Sequence, residues 1–331
     1  MTKDGGITAA CKLQFFPRTI AMEQETYHFT VNGPQEGMRL DQFLTASLQD
    51  RYSRSEIQKW IREGLVQIDG EPVLERSKKL LENQSIQAVP RTIPENTQEP
   101  VELDFQVIFE DKHLAVIHKP PGIAVHPGPG DASITLLHGI LHRWPHLKGQ
   151  GSRPGIVHRL DKPTEGLLLI ALDPEVQWKL SRQFQERSVT KEYIAYLLST
   201  PAETEGRLDF PLMRDRVDRR KRTVHSAGRD AVTLYRMTDV YRTRKGRKLC
   251  RVEIQLITGR THQIRAHFAH IGCPVVGDDL YSRSSREFYK FGLLLLAARL
   301  GFHHPVTGKE MEFELPEPDR FLDFARKAEF Y

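Results

Sequence analysis

The sequence predicts an α+β fold. A large C-terminal domain carries a mixed, mainly antiparallel β-sheet flanked by helices, and a small α/β domain precedes it. Three observations lead there. From residue 101 onward, strand-like and helix-like stretches follow one another without a regular βαβ rhythm. Neither GxGxxG nor GxxxxGK[ST] occurs, which argues against a dinucleotide or P-loop enzyme on a parallel sheet. The stretch PRTIPENTQEP, residues 90–100, holds three prolines and few apolar residues, the composition of a linker.

The totals bound the function classes. A chain of 331 residues can bury one large core and a smaller one. With 27% charged and 39% hydrophobic residues it reads as folded rather than disordered. The formal net charge of +5 is only mildly basic, so the distribution of charge matters more than its sum. Three distant cysteines, Cys11, Cys250 and Cys273, with no CxxC spacing argue against a disulfide framework and a cysteine zinc site. The apolar runs at 167–172 and 293–298 are too short to span a bilayer. These features predict a soluble, cytoplasmic protein with no membrane partner, and a monomer, because no long apolar surface helix is evident. Residues 1–24 are low in acid and lack periodicity. They are expected to be a disordered or non-native leader, with Met22 as the natural start; a targeting peptide is the other reading.

Residues 25–89 form the small domain. Asp41 is expected to cap a helix carrying Phe43, Leu44 and Leu48, and Ser53 with Glu56 to form a capping box for the next. In that second helix Ile57, Trp60 and Ile61 share a face, while Arg54, Gln58 and Arg62 fall on another. LVQIDGEPV then reads as a hairpin turning at Asp69-Gly70. Acids and bases balance over 38–89, eight of each, so Arg54, Lys59 and Arg62 read on composition as a solvated face.

In the large domain, 101–331, FQVIFEDKHLAVIHK suggests two strands. Asp173-Pro174 opens a helix whose Val176, Leu180 and Phe184 line one face. KEYIAYLLS and CRVEIQLIT read as strands, and Leu167–Ile170 as a buried one.

Four constellations can carry chemistry. GIVHRLDKPTEG, residues 155–166, places Asp161 in a turn with His158, Arg159 and Lys162 within three residues. Neighbouring cations favour an ionised carboxylate, which can serve as nucleophile or general base; a lone turn aspartate is more often an Asx-turn former. In residues 257–281, Arg260, His262, Arg265, His267 and His270 crowd one stretch. Their spacing fits no standard zinc pattern and reads as a phosphate-binding cluster or a polar helix surface; no metal is expected. RDRVDRRKR, residues 214–222, carries six basic residues, including Arg219, Arg220 and Arg222, and YRTRKGRK, 241–248, carries five. Two such runs in one domain suit phosphates and splayed bases. Tyr193 in KEYIAY is either a buried strand tyrosine or a surface for stacking a flipped base.

Two resemblances join these pieces. RLDQFL followed by SRSEIQKWIREGLVQIDG resembles the S4 RNA-binding module, in which a basic helix face, here Arg54, Lys59 and Arg62, lies on structured RNA. The blocks KPPGIAVHPGPG, GIVHRLDKPTEGLLLIA, KEYIAYL and GRTHQIRAHFAHIGCPVVGD resemble, in order, the RluA-type pseudouridine synthases, in the S4-bearing branch of large-subunit rRNA synthases. The resemblance spans roughly residues 25–318 and makes 101–331 the catalytic domain. It implies an isomerase that detaches a uridine base from C1′ and rejoins it through C5, without cofactor or metal, on structured RNA, most simply large-subunit rRNA. Asp161 would be the essential carboxylate and Arg265 its partner. Arg159 would fill the space left by the flipped uridine, and Tyr193 would stack on it. Arg260, His262, Arg219, Arg220 and Arg222 are read as supports or RNA contacts.

The chain departs from the family pattern twice. Glu165 follows Thr164 where a serine or threonine is usual, and Leu296 replaces the histidine of an L-H-A string. Glu165 is expected to point outward or pair with Lys162, and Leu296 to alter only local packing. Three other functions share parts of this pattern: an inactive RNA-binding or ribosome-assembly factor, the same isomerase acting on tRNA, and a ribonuclease using His158 and His262.

Overall fold

The computed structural model describes residues 26–48, 52, 54–89, 99–127, 133–151, 153–282 and 288–328. The leader with Met22, Ser53, the Glu56 side chain and linker residues 90–98 lie outside the described residues. The chain divides into two compact units, the described parts of Met1–Thr92 and of Ile93–Tyr331.

The first unit contains β1 (Tyr27–Thr30), α1 (Leu40–Ser47), α2 (Arg54–Arg62), β2 (Val66–Ile68), β3 (Glu71–Pro72) and β4 (Ser85–Ala88). Its sheet runs β1-β4-β2-β3, antiparallel throughout. Ile57, Trp60 and Ile61 of α2 are buried with Leu40, Phe43 and Leu44 of α1, as the helical spacing requires. Asp69 and Gly70 both have positive φ, 52° and 84°, the backbone of a type I′ hairpin turn.

Asp41 is not the cap. Helix α1 begins at Leu40 with Arg39 as its N-cap. The amides of Leu40 and Asp41 donate instead to the carbonyls of Lys78 and Arg76, so no side-chain cap is needed. Asp41 is fully buried in the first turn and accepts hydrogen bonds from Arg39 Nε (3.0 Å), Arg54 Nη2 (3.1 Å) and Gln58 Nε2 (2.9 Å). It thereby joins α1 to the polar face of α2.

The second unit contains β5 (Gln106–Glu110), β6 (Leu114–Lys119), α3 (Leu136–Arg143), β7 (Glu165–Ala171), α4 (Pro174–Glu186), β8 (Thr190–Leu197) and β9 (Glu205–Asp209). Then follow β10 (Leu212–Arg214), β11 (Arg222–Val224), β12 (Val232–Arg242), β13 (Lys248–Leu256), α5 (Gln263–His270), β14 (Leu295–His303), β15 (Glu310–Glu314) and α6 (Asp319–Lys327). A nine-stranded sheet runs β5-β6-β7-β14-β8-β13-β12-β9, with β15 paired to β14. All of its pairings are antiparallel except β7 with β14, so the sheet is mixed and mainly antiparallel. β10 and β11 form a separate hairpin carrying the 214–222 basic run. Helix α4 starts as expected: Asp173 Oδ1 accepts the Val176 amide at 2.8 Å and Pro174 is its first residue.

Every residue of β7 is buried, which matches its apolar run. One lateral row of the sheet reads Gly166, Ala297, Tyr193, Ile254. Gly166 has φ +128°, and a Cβ there would stand 2.3 Å from the Ala297 carbonyl oxygen. Only glycine allows β7 and β14 to approach this closely.

Glu165 neither points outward nor pairs with Lys162. It opens β7 with only 3% exposure, and its carboxylate takes Arg320 of α6. The pairing follows from position: Lys162 is exposed in the preceding turn, whereas Glu165 already belongs to a buried strand and meets what packs on that strand. Leu296, the other departure, is fully buried in the core and stands beside Glu165 in the β14–β7 register.

Candidate active site

The loop before β7, the middle of β8 and the start of α5 converge on a cavity of about 620 Å³ lined by Asp161, Tyr193, Arg159, Arg260, His262 and Arg265. These six share one pocket with His158, of a size suited to a nucleoside.

Asp161 is fixed by its loop rather than by its own side chain. Its carbonyl accepts the Thr164 amide at 3.1 Å, and the Lys162 carbonyl accepts the Gly122 amide at 2.9 Å. Beneath the loop Lys119 is fully buried. Its ammonium donates to the carbonyls of Pro120 (2.8 Å), Lys162 (3.2 Å) and Thr164 (2.7 Å). Burial pulls the Lys119 pKa down to about 8, against the opposing pull of Asp161 and Glu165. Lys119 was not singled out in the sequence, although it opens the KPPG block that was.

Arg265 is 3% exposed and forms a two-pronged pair with Asp278, Nε to Oδ2 at 2.7 Å and Nη2 to Oδ1 at 2.8 Å. Its remaining Nη1 lies 3.7 Å from Asp161 Oδ2. Arg265 thus reaches Asp161, but its closest partner is Asp278. Asp278 is itself held by the amides of Leu280 and Tyr281, each at 3.0 Å from Oδ1.

His262 sits at the N-cap of α5 with φ 57° and ψ 21°, a left-handed conformation that costs a β-carbon residue roughly 1–3 kcal/mol. Gln263 holds it there. The Gln263 side chain accepts from the Arg260 amide and from Thr258 Oγ1, and donates to the Val232 carbonyl and Thr233 Oγ1. The strained turn aims His262 Nε2 at Asp161 Oδ1, 4.0 Å away. Arg260 Nε donates to the Asp230 carbonyl at 2.9 Å, which sets its side chain at the rim.

Tyr193 projects from β8 into the same cavity. Burial, and then the Asp161 charge, push its phenol far above the usual tyrosine range, so the ring stays neutral. Lys191, two residues earlier, also lines the cavity; burial and then Arg187 lower its pKa. Arg159 is exposed, and its Nη1 lies 3.3 Å from His126 Nε2. Burial keeps His126 neutral. Its Nδ1–H donates to the Pro127 carbonyl, leaving Nε2 to accept from Arg159.

His158 plays a structural part. Its Nε2 accepts the Leu169 amide at 2.9 Å and its ring stacks on Phe184, with centroids 4.6 Å apart. Burial, then Lys191, hold its pKa down at about 3. Its Nε2 lone pair is already taken by a backbone amide, which counts against the ribonuclease reading. The other predicted contacts are dispersed. Arg219 and Arg220 are exposed on the β10–β11 hairpin, Arg220 paired with Asp218 at 2.8 Å. Arg222 opens β11 opposite Arg214, where the strands meet the hairpin's loop. In the first unit Arg54, Lys59 and Arg62 are exposed along α2, with Arg54 engaged by Asp41 and Lys59 lying 3.8 Å from Glu63.

Among the described residues no group of three or more His, Cys, Asp or Glu side chains is placed to hold a metal ion, and no helix is long and apolar enough to cross a membrane.

Comparisons with known proteins agree with this architecture. Residues 38–86 match the S4 domain, and residues 113–270 match the RNA pseudouridylate synthase family. An uncharacterized RNA pseudouridine synthase of Aquifex aeolicus is 40% identical, over 90% of this chain and 95% of its own. The ribosomal large subunit pseudouridine synthase D of Pasteurella multocida is 36% identical, over 93% of this chain and 97% of its own. Among solved structures, human RNA pseudouridylate synthase domain containing 1 superposes with a TM-score of 0.54 at 25% identity, covering 65% of this chain and 84% of its own. The fold is that of an RNA-modifying isomerase. The chain belongs to the RNA pseudouridine synthase family, whose reaction converts uridine in RNA to pseudouridine.

Proposed function

We propose that this protein isomerises specific uridines of large-subunit ribosomal RNA in the cytoplasm, with Asp161 as its catalytic carboxylate. The observation that carries the reading is the convergence of Asp161, the Arg265 guanidinium 3.7 Å from it and the Tyr193 ring on one cavity. The reaction breaks N1–C1′, turns the base and forms C5–C1′. C5 loses a proton and N1 regains one, so the RNA keeps its length and mass. A carboxylate beside the ribose can attack C1′ or take a proton from the sugar, and in either case it must be ionised and fixed. Arg265 supplies the facing charge, and the Lys119-bound loop supplies the rigidity.

The base must first leave its stack, at a cost of a few kcal/mol. Tyr193 offers a neutral ring on which a base can stack, worth about 1–3 kcal/mol. Arg159 enters the gap in this reading, supported by its exposure and its contact with His126. Arg260 and His262 line the pocket, and Arg219, Arg220 and Arg222 on the β10–β11 hairpin and Arg54, Lys59 and Arg62 on α2 are the cations offered to phosphates. Ribosomal RNA is favoured as target because a relative 36% identical over 93% of this chain bears that substrate in its name.

The test is a pseudouridine map of total RNA from cells with the gene, without it, and with Asp161→Asn. Discrete positions in large-subunit rRNA lose the modification in the last two, while the purified variant still binds that RNA. Loss confined to tRNA keeps the chemistry and replaces the substrate. An unchanged map overturns the reading in favour of an inactive RNA-binding factor, and normal activity of the purified Asp161→Asn protein removes Asp161 as the catalytic carboxylate.

A further inference from the structure

Tyr281 follows Asp278 by three residues and is half-buried between the basic hairpin and α5. Its phenolic oxygen accepts the Arg222 amide at 2.7 Å and lies 3.2 Å from His262 Nδ1 and 3.3 Å from the Arg222 carbonyl. The Arg265 guanidinium carbon stands over its ring, 5.3 Å from the centroid, and Lys221 Nζ is 5.8 Å from it. One ring therefore touches the Arg222 backbone of the hairpin, the guanidinium facing Asp161 and the imidazole facing Asp161.

The phenol has one proton and two acceptors within reach, the Arg222 carbonyl and His262 Nδ1. The imidazole decides between them. Burial keeps it neutral, so one ring nitrogen carries hydrogen and the other a lone pair. Nε2 faces a carboxylate oxygen at 4.0 Å, where a lone pair would be repelled and an N–H attracted. With the proton on Nε2, Nδ1 becomes an acceptor, and Tyr281 is the hydroxyl that meets it. A directed chain results: Arg222 N–H to the Tyr281 oxygen, Tyr281 O–H to His262 Nδ1, and His262 Nε2–H toward Asp161.

We propose that Tyr281 is a positioning residue of the reaction, whose phenol, bonded to Arg222 of the basic hairpin, fixes His262 as the Nε2–H tautomer and so keeps a hydrogen-bond donor aimed at Asp161. It rests on the reading of Asp161 as the catalytic carboxylate. The role is distinct from packing, because Tyr281→Phe keeps the ring under Arg265 and removes only the hydroxyl.

The experiment uses full-length protein labelled with 15N-histidine. In the wild type, His262 shows a protonated Nε2 and an unprotonated Nδ1; an Nδ1–H tautomer there overturns the proposal without any variant. In Tyr281→Phe the signals move toward a mixture of tautomers. The kcat falls about tenfold while KM for RNA stays within twofold, and His262→Ala combined with Tyr281→Phe is no slower than His262→Ala alone. A Tyr281→Phe protein that keeps both the Nε2–H tautomer and full kcat, or a double variant whose losses multiply, overturns it. A wild-type protein that forms no pseudouridine removes the catalytic reading instead, and the tautomer is still read.

Discussion

Leu296 stands directly beside Glu165 in the parallel register of β14 on β7, so the two positions at which this chain departs from the family's motifs are neighbours in the sheet. The departures fit one another. Leucine cannot compete for the Glu165 carboxylate, which takes Arg320 of α6 and has His118 Nε2 4.0 Å away. The result ties the strand that follows Asp161 to the C-terminal helix.

Removing one partner of that pair leaves a buried charge unmatched, a loss of about 3 kcal/mol. Arg320→Met is therefore expected to lower the stability of the second unit by about that much, measured by urea unfolding. Combining it with Glu165→Met restores part of the loss, because no charge is left unmatched while the Phe291 and Leu293 carbonyls still lose their hydrogen bonds from Arg320. A double variant as unstable as the single one shows that the pair acts otherwise.

Asp278 holds two prongs of Arg265 and leaves the third for Asp161. Asp278→Asn frees the fork, and a misplacement of this kind costs roughly 100-fold in rate. Single-turnover isomerisation is expected to fall by that order while RNA affinity stays within a few-fold. Unchanged turnover places the Arg265 geometry outside the rate-limiting step.

The Tyr193 phenol, raised first by burial and then by the Asp161 charge, stays protonated through and beyond neutrality. The rate between pH 6 and about 9 is expected to show no ionisation lost in Tyr193→Phe. Phenylalanine retains the stack and keeps RNA affinity. Alanine loses about 1–3 kcal/mol of binding to a substrate whose target uridine is flipped. Equal loss in both variants assigns the role to the hydroxyl.

Asp41 links pH to the first unit. Burial raises its pKa, but the hydrogen bonds from Arg39, Arg54 and Gln58 outweigh burial and hold it at about 2. That lies below the unfolded value of about 3.9. The stabilisation is therefore complete above pH about 4 and is lost as pH falls through about 2. Hydrogen exchange of the α1 and α2 amides in the full-length protein is expected to quicken across that window, and Asp41→Asn to remove the dependence. The same acid response in the variant excludes Asp41 as its source.

Local pattern was enough for much of the fold. The Ile57, Trp60, Ile61 spacing placed the buried face of α2, Asp173-Pro174 placed the start of α4, and the apolar run at 167–170 placed a strand buried on both sides. Each is a short-range property: helical periodicity, a cap, or an unbroken apolar stretch needs no knowledge of a distant partner. The Asp161, Tyr193 and Arg265 blocks were legible for a different reason, their likeness to a family, since no spacing argument joins residues thirty to a hundred positions apart.

Tertiary structure decided where the charges go. The sequence by itself put acids and bases near one another along the chain, and that proximity misled: Asp41 is enclosed by α2 rather than capping α1, and Glu165 meets Arg320, far away in sequence, rather than Lys162. His158 stands three residues from Asp161, yet its ring is spent on the Leu169 amide. Asp278, Lys119 and Tyr281 carry the support of the site and had no local signal of that role. The reason is physical. A charged side chain in a low-dielectric interior is paired with whatever the packed elements bring within about 4 Å, and which elements pack is a property of the sheet order rather than of the neighbouring residues.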